Sequence, residues 1–491
     1  MQLYDKDLLS VQEVRELVEK AKAAQEELSQ KSQAEVDAIV KSIAYAGVRN
    51  AKRLAKLAHE ETGFGIEADK VIKNIFGSRD VYEHIKDMKT IGELGYDEEK
   101  KVRTIAVPVG VIAGLIPSTN PTSTAFYKSE ISIKAGNAIV FSPHPNARNC
   151  ILEAVKVIRQ AIAEAGGNEN LVSCITIPTI QATDNLMKHP DVALILATGG
   201  SAMVRAAYSS GTPAIGVGPG NGPAYIEKTA DLPLAVKRIM DSKTFDNGMI
   251  CASEQSVVCD KDMEDAVRAE MEKQGAYFLT DEQIAKLGKF ILRANGTMNP
   301  MIVGKSAQVI ADLAGIDIPA GTKVLVAKET GIGRGHPYSN EKLAPILAFY
   351  TADDYKEICR LVQDILHYEG AGHTFSMHTK DPEMVNYFAM RVPASRIIVN
   401  TPSALGGIGG TTGLMPSLTL GCGAIGGSAT SENVGPMNLL NKRHVAEGLL
   451  ELDEIKAGLP TCTDGMCSGP KAEDVDIDAV VNEIVKRLRS M

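Results

Sequence analysis

The sequence predicts an α/β protein whose parallel sheets carry crossover helices, and three observations lead there. Short β-type runs at residues 111–116, 138–141, 172–177 and 194–197 alternate with helical stretches such as 150–165. That order yields a doubly wound nucleotide-binding domain with its ligands at the carboxyl ends of the strands. The alternation resumes after Ile226 and continues through Val303, 324–327 and 397–399. A chain of 491 residues also exceeds what one core ordinarily serves, so two or three domains are expected.

Taken in order, apolar residues at helical spacing (Val14, Leu17, Val18, Ala21, Ala24, then Val36, Ile39, Val40, Ile43) place two amphipathic scaffold helices within residues 11–46. The alternation Val102-Arg103-Thr104-Ile105-Ala106-Val107 reads as an exposed strand. Thr198-Gly199-Gly200-Ser201 stands between a strand-like run and a helical stretch at 202–208. In that setting backbone N–H groups and a helix amino terminus hold a pyrophosphate, whereas a Gly-Gly pair elsewhere is more often a plain turn.

Cys251 follows a turn-forming Asp246-Asn247-Gly248 and precedes the small, hydroxyl-bearing Ala252-Ser253. A thiol on such a loop can attack a carbonyl, and small neighbours leave room for substrate and for N–H groups aimed at the oxyanion. By itself such a cysteine is more often a small buried hydrophobe. Gly406-Gly407-Ile408-Gly409-Gly410 suits either a loop that lets a ligand approach its backbone or a flexible connection.

Residues 461–470 read as a small-residue linker, and Ile477, Val480, Val481, Ile484, Val485 and Leu488 then mark a short amphipathic helix. That helix either docks on its own domain or reaches a partner groove over the linker. Cys462 and Cys467 lack a second pair, so no metal site is expected.

Composition narrows the classes further. With 44% hydrophobic and 23% charged residues and a net charge of −9, bulk disorder and general binding to nucleic acid or anionic membranes are disfavoured. Eight scattered cysteines and a charged opening without a signal peptide point to a reducing cytoplasm. The longest apolar run, around 107–117, is too short to span a bilayer.

The stretch Asn247-Gly248-Met249-Ile250-Cys251-Ala252-Ser253-Glu254-Gln255-Ser256-Val257-Val258 resembles the nucleophile signature of the aldehyde dehydrogenases, in particular their coenzyme A-acylating branch. Further matches recur in that family's order between residues 10 and 450: Pro117-Ser118-Thr119-Asn120-Pro121, Phe141-Ser142-Pro143-His144-Pro145, Ala197-Thr198-Gly199-Gly200, Glu341-Lys342-Leu343-Ala344-Pro345 and Pro416-Ser417-Leu418-Thr419 followed by Ser431-Glu432-Asn433.

The resemblance implies an aldehyde dehydrogenase fold with a Rossmann-like NAD domain at 1–227, to which 425–445 returns, and an α/β catalytic domain at 228–424. A hairpin at 98–110 and a strand at 446–460 would form a small oligomerisation element that pairs subunits into a homodimer or tetramer. Residues 461–474 become a linker, and the 475–491 tail looks like the encapsulation peptides of bacterial microcompartment enzymes, with shell proteins as partners. By the same resemblance Cys251 is the nucleophile, and the Asn120 amide with the Cys251 backbone N–H forms the oxyanion site. Thr198, Gly199 and Gly200 would meet the dinucleotide, and Glu341 its nicotinamide ribose. Ser142 and His144 fall where the hydrolytic branch carries a Lys-Pro-x-Glu motif for the adenosine ribose. Both the lysine and the glutamate of that motif are replaced here, so NAD is expected and NADP use left open.

One departure is diagnostic. The hydrolytic branch carries Glu-Leu-Gly-Gly-Lys, whose glutamate activates water; here the stretch is Ile215-Gly216-Val217-Gly218-Pro219-Gly220-Asn221, with Gly216 set at the glutamate's place. Water attacks a thioester slowly without a base, whereas a thiolate needs little help. The expected acceptor is therefore coenzyme A, and the expected reaction is reversible oxidation of acetaldehyde or propionaldehyde to acyl-CoA. A hydrolytic enzyme would need the missing carboxylate, and a non-catalytic assembly protein would not need Cys251 and Asn120. The bifunctional alcohol/aldehyde dehydrogenases resemble the chain too, and only their aldehyde half is expected here. Glu254 is expected to be a structural hydrogen-bonding group, and Lys128, His336 and His373 receive no chemistry.

Overall fold

Both amino-terminal helices form for the reason their spacing gives. Asp5 caps Lys6–Leu28 by accepting from the Leu8 N–H, and Ser32 and Glu35 make a reciprocal capping box that opens Gln33–Thr62. Val14, Val18, Ala21 and Ala24 on one helix and Val36, Ile39, Val40 and Ile43 on the other are buried. The second helix runs well past Ala46 and stops at Gly63, whose φ of 64° is the left-handed cap glycine supplies cheaply.

The computed structural model describes residues 5–293 and 296–458. The chain divides into one unit of residues 1–92 and 106–442 and a second of 93–105 and 443–491. A three-stranded sheet of order β1-β2-β15 is built from β1 (Gly92–Asp97), β2 (Val102–Pro108) and β15 (Leu440–Ala446).

The larger unit holds two parallel sheets. The first, of order β5-β4-β3-β6-β7, contains β3 (Val111–Ile116), β4 (Ala138–Pro143), β5 (Val172–Cys174), β6 (Val192–Thr198) and β7 (Ala214–Val217). Strands β3 and β4 are buried along their whole length, which is why they read as unbroken apolar runs. The second sheet, of order β10-β11-β12-β9-β8-β13-β14, contains β8 (Gly222–Ile226), β9 (Glu254–Asp260), β10 (Ala276–Phe278), β11 (Val324–Lys328), β12 (Ile346–Ala352), β13 (Gly372–His378) and β14 (Ala394–Val399).

Several boundaries differ from expectation. The second sheet begins at β8, ahead of the expected boundary after residue 227, because Ala224 pairs with Val257 on one side and Ser376 on the other. Residues 218–221 are thus the whole connection between the last strand of one sheet and the first of the next. Of the residues 446–460 expected as a strand, Ala446 ends β15 and Leu452–Ala457 is helical, with the Glu451 N–H donating to Glu454 Oε2. The hairpin begins at Gly92, ahead of the expected 98–110. Val303 sits in a turn between Ile302 and a left-handed Gly304 and not in a strand. The linker, Cys462, Cys467 and the 475–491 tail lie outside the described residues. Among the described residues no helix is long and apolar enough to cross a membrane.

Two buried side chains of the helix Pro121–Lys134 join it to its surroundings. Lys128 Nζ donates to the carbonyls of Leu115 and Leu196 at 2.7 and 2.8 Å, clamping the carboxyl ends of β3 and β6, and burial pushes its pKa down to about 7. Tyr127 donates its hydroxyl to the Val434 carbonyl at 2.7 Å and meets Ser417 Oγ at 2.8 Å. Tyr127→Phe removes the donor to the buried Val434 carbonyl, while Ser417 keeps its bonds to Thr419, and denaturant unfolding is expected to record a loss of about 1–3 kcal/mol.

Candidate active site

The loop that carries Cys251 begins where the helix Leu232–Thr244 ends. Asp246 (φ 47°), Asn247 (φ 55°) and Gly248 (φ 77°) are successively left-handed. Asp, Asn and Gly are the residues that tolerate that region, so the sequence folds into this tight turn at the lowest strain. The Ser253 N–H then closes on the Ile250 carbonyl at 2.8 Å, and β9 begins.

The turn is anchored through the Asp246 side chain, which is fully buried. Its Oδ1 accepts from the Ile66 N–H at 2.7 Å, and its Oδ2 accepts from Lys73 Nζ at 2.5 Å and Lys70 Nζ at 3.1 Å, while its own N–H donates to Asp69 Oδ2 at 2.7 Å. Burial pushes the Lys70 pKa down to about 8 and that of Asp69 up. Lys73 reaches further, donating to Asn120 Oδ1 at 2.6 Å. Asn120 Nδ2 is thereby turned toward the Cys251 loop, donating to the Met249 carbonyl at 3.3 Å and to Thr119 Oγ1 at 3.2 Å.

Cys251 and Asn120 face a cavity of about 640 Å³, within the range of small-molecule sites. Ser142, His144, Thr198, Gly199, Gly200 and Glu341 also line it, together with apolar residues such as Ile116, Ile180, Met187, Val217, Ile408 and Leu418. Cavity and sheets agree on geometry: the ends of β3, β4, β6 and β7 form one wall, as a doubly wound sheet requires.

Gly216, expected at the glutamate's place and among the cofactor-binding residues, does not line the cavity. It lies within β7, and a Cβ there would stand 2.8 Å from Val204 Cγ1 and 2.9 Å from Tyr208 Cε2, facing the helix Ser201–Tyr208. The next three residues, Val217, Gly218 and Pro219, are the ones that face the cavity, and none bears a carboxylate. The acids among the lining residues are Asp184 and Glu341. Asp184 pairs with Lys188 at 2.8 Å, and Glu341 accepts the Gly220 N–H at 3.0 Å. Burial, reinforced by the Glu369 carboxylate, pushes the Glu341 pKa up to about 8.

At the opposite end Ser142 Oγ meets Thr183 Oγ1 at 2.8 Å, and His144 Nδ1 accepts the Asn146 N–H, with burial lowering its pKa. A Cβ at Gly200 would meet nothing, and one at Gly199 would meet only Met203 at 3.8 Å. Neither glycine is demanded by packing, and the free space over that backbone, at the start of a helix, fits a dinucleotide's phosphates.

Other polar candidates serve structure. Glu254 Oε1 accepts the Ser403 N–H at 3.0 Å, away from the cavity. The glycines at 406 and 407 close a short helix, Ser403–Gly407, in place of a loop, and a Cβ at Gly407 would stand 2.6 Å from Ala252 Cβ. His373 is buried beside the Cys251 loop: a Cβ at Gly220 would lie 1.9 Å from the Cys251 carbonyl oxygen and 3.2 Å from His373 Cε1. Its Nε2 finds no hydrogen-bond partner among the described residues. Lys70, Lys73 and His373 are the groups that sequence reasoning left without a role.

Although part of Cys251 faces the cavity, protein surrounds its thiol, and that burial pushes its pKa up to about 12, with Glu341 adding to the rise and the Arg396 guanidinium opposing it. The ligand-free thiol is therefore protonated at neutral pH, and only the thiolate reacts with alkylating agents. Iodoacetamide modification of Cys251, followed by mass spectrometry, is expected to accelerate about tenfold per pH unit between pH 7 and 10 without levelling off.

The aldehyde dehydrogenase family model matches residues 3–339. The bifunctional aldehyde-alcohol dehydrogenase AdhE of Escherichia coli (strain K12) is 46% identical over 443 residues, which are 89% of this chain and 50% of that protein. The chain thus spans about half the length of the curated relatives it matches. Solved structures of a probable aldehyde dehydrogenase from Listeria monocytogenes EGD-e (64% identity, TM-score 0.91, 92% of this chain and 100% of that one) and an acetylating aldehyde dehydrogenase from Geobacillus thermoglucosidasius (51%, 0.90, 92% and 99%) superpose on it. Two propionaldehyde dehydrogenases are each 28% identical over 88% of this chain and 97% of theirs. One comes from a Clostridium phytofermentans fucose-utilisation microcompartment (TM-score 0.80), and the other, from Rhodopseudomonas palustris, holds CoA and an acylated cysteine (0.79). This chain belongs to the aldehyde dehydrogenase family.

Proposed function

From membership of that family and the chemistry of the cavity, we propose that the chain oxidises a short aliphatic aldehyde, such as acetaldehyde or propionaldehyde, with NAD and coenzyme A to give acyl-CoA and NADH, reversibly. The observation that carries the reading is the pairing of a nucleophile and an oxyanion donor in one cavity whose wall at 217–219 carries no carboxylate. Cys251 and Asn120 share the cavity, and Val217, Gly218 and Pro219 on its wall carry no carboxylate.

Cys251 first releases its thiol proton to solvent; the thiolate then adds to the aldehyde carbon, forming a C–S bond, and the carbonyl electron pair moves onto oxygen. Asn120 Nδ2 and the Cys251 backbone N–H stabilise that oxyanion; the amide exchanges its long contact to the Met249 carbonyl for the stronger one to a charged oxygen. Collapse of the thiohemiacetal returns the electron pair to the carbonyl and leaves a thioester on Cys251. NAD, when bound, supplies the acceptor for the departing hydride. Backbone at Thr198, Gly199 and Gly200 would hold its phosphates, Glu341 its nicotinamide ribose, and Ser142 and His144 its adenosine end. The coenzyme A thiolate then attacks the thioester carbon and expels the Cys251 thiolate, so one thioester replaces another and the sequence runs either way.

NADH formation from propionaldehyde should be sustained only when coenzyme A is present and should vanish in Cys251→Ala; NADP replaces NAD in a parallel assay to fix the preference. Equal steady turnover without coenzyme A would mean that another group activates water and that the enzyme is hydrolytic.

For assembly, we propose that the sheet containing β15, whose residues 441–446 are exposed, pairs subunits into a dimer or tetramer, and that residues 475–491 bind microcompartment shell protein. The tail's amphipathic spacing and the microcompartment source of one relative support this assignment. Deleting 475–491 should leave turnover and the oligomeric mass by light scattering unchanged while abolishing co-assembly with shell protein. Loss of solubility or activity would assign the tail to its own domain.

A further inference from the structure

We propose that Lys73 is a positioning residue for the oxyanion-binding amide: its ammonium orients and polarises Asn120 and, through the shared Asp246 carboxylate, fixes that amide relative to the Cys251 turn. The inference rests on the function proposed above, in which Asn120 binds the oxyanion.

Three features carry it. First, an ammonium has donors and no acceptor, so the Asn120 atom 2.6 Å from Lys73 Nζ can only be the amide oxygen. The nitrogen is then compelled toward Met249 and the Cys251 loop; without Lys73 the amide could rotate by half a turn and present its oxygen to the oxyanion. Second, a cation on the amide oxygen withdraws electron density from the N–H groups and strengthens them as donors, and this acts most in a site walled from water. Lys73 is 3% and Asp246 0% exposed. Third, Asp246 Oδ2 is held by Lys70 and Lys73 together, but only Lys73 also reaches the amide; Lys70 reaches the neighbouring Thr119 carbonyl at 3.4 Å. One buried carboxylate is therefore the common reference for nucleophile and oxyanion donor, and Lys73 is the link between them.

The two lysines provide their own control. Lys73→Met is expected to lower kcat for NADH formation by roughly 10- to 100-fold, below or at the low end of the loss of a whole oxyanion donor, with KM for NAD and for coenzyme A unchanged. Adding Asn120→Ala to Lys73→Met should cost nothing beyond Asn120→Ala alone, whereas Lys70→Met and Asn120→Ala should multiply. Iodoacetamide alkylation of Cys251, which forms no oxyanion, should keep its wild-type rate in Lys73→Met. Lys73→Gln, which retains a neutral donor to the amide, should fall between wild type and Lys73→Met, and it carries the same double-mutant cycle should the methionine variant not fold.

Multiplicative losses for Lys73 and Asn120, or alkylation slowed as much as turnover, would overturn the inference and make Lys73 a support of the turn alone. Both the acylating and the hydrolytic routes pass through the thiohemiacetal, so the cycle reads NADH formation under whichever acceptor the wild type uses. Failure of the coenzyme A requirement is thus seen separately, in the wild type.

Discussion

The burial of one carboxylate, that of Asp246, is the constraint on which the site depends. A charge withdrawn from water must be paired and its lone pairs filled, or the fold loses several kcal/mol. Here the fold fills them with two lysines from the helix Glu67–Ile75 and with the Ile66 N–H, so the entry of that helix, the turn before Cys251 and the loop before the helix Pro121–Lys134 are fixed against one another. Hydrophobic residues of equal volume could make such a junction as stable or more so. They could not fix which way an amide points, and directionality is what the arrangement supplies to the chemistry.

Apolar walls impose a second, opposing demand. The cavity lining that excludes water also penalises the thiolate, holding the resting Cys251 thiol well above its ordinary range, and Glu341 adds to that penalty. Near neutral pH, with its own pKa about 8, Glu341 is largely uncharged, which moderates the repulsion. Partial protonation of one acid thus lessens the cost of ionising its neighbour, the kind of coupling that places two groups with displaced pKa values beside a reacting atom. The Arg396 guanidinium, which donates to the His373 carbonyl at 2.9 Å, lies on the side that favours thiolate.

Much of this was legible in the sequence because the relevant signals are local. Strands β3 and β6, the Gly199-Gly200 turn and the loop of Cys251 are each set by a run of a few residues, and the structure brings their side chains or backbones to one cavity. What the sequence hid depends on tertiary contact. In the helix Glu67–Ile75 periodicity points the wrong way: Lys70, Lys73 and Asn74 form the buried face while Ile72 is 51% exposed. Two lysines at i and i+3 read as a solvated surface until a buried carboxylate from residue 246 is found against them. Gly216 faces away from the cavity for a related reason. In a strand successive side chains face opposite ways, so an offset of a single residue exchanges a wall of the cavity for the packing face beneath the helix Ser201–Tyr208.

The same loop is confined by backbone as well as charge. Gly220, in the four-residue crossing from β7 to β8, approaches so closely that a methyl group there would overlap the Cys251 carbonyl oxygen, and Gly407 does likewise to Ala252 from the other side. Each glycine is needed for clearance at a strand-to-strand or helix-to-loop approach. These two approaches leave the peptide that follows Cys251 little freedom to rotate, and the turn that precedes Cys251 is anchored separately at Asp246. An oxyanion site works by being organised before charge develops. Here that organisation is distributed over a buried ion cluster, two close backbone approaches and the inter-sheet crossing, none of which touches the reacting carbon.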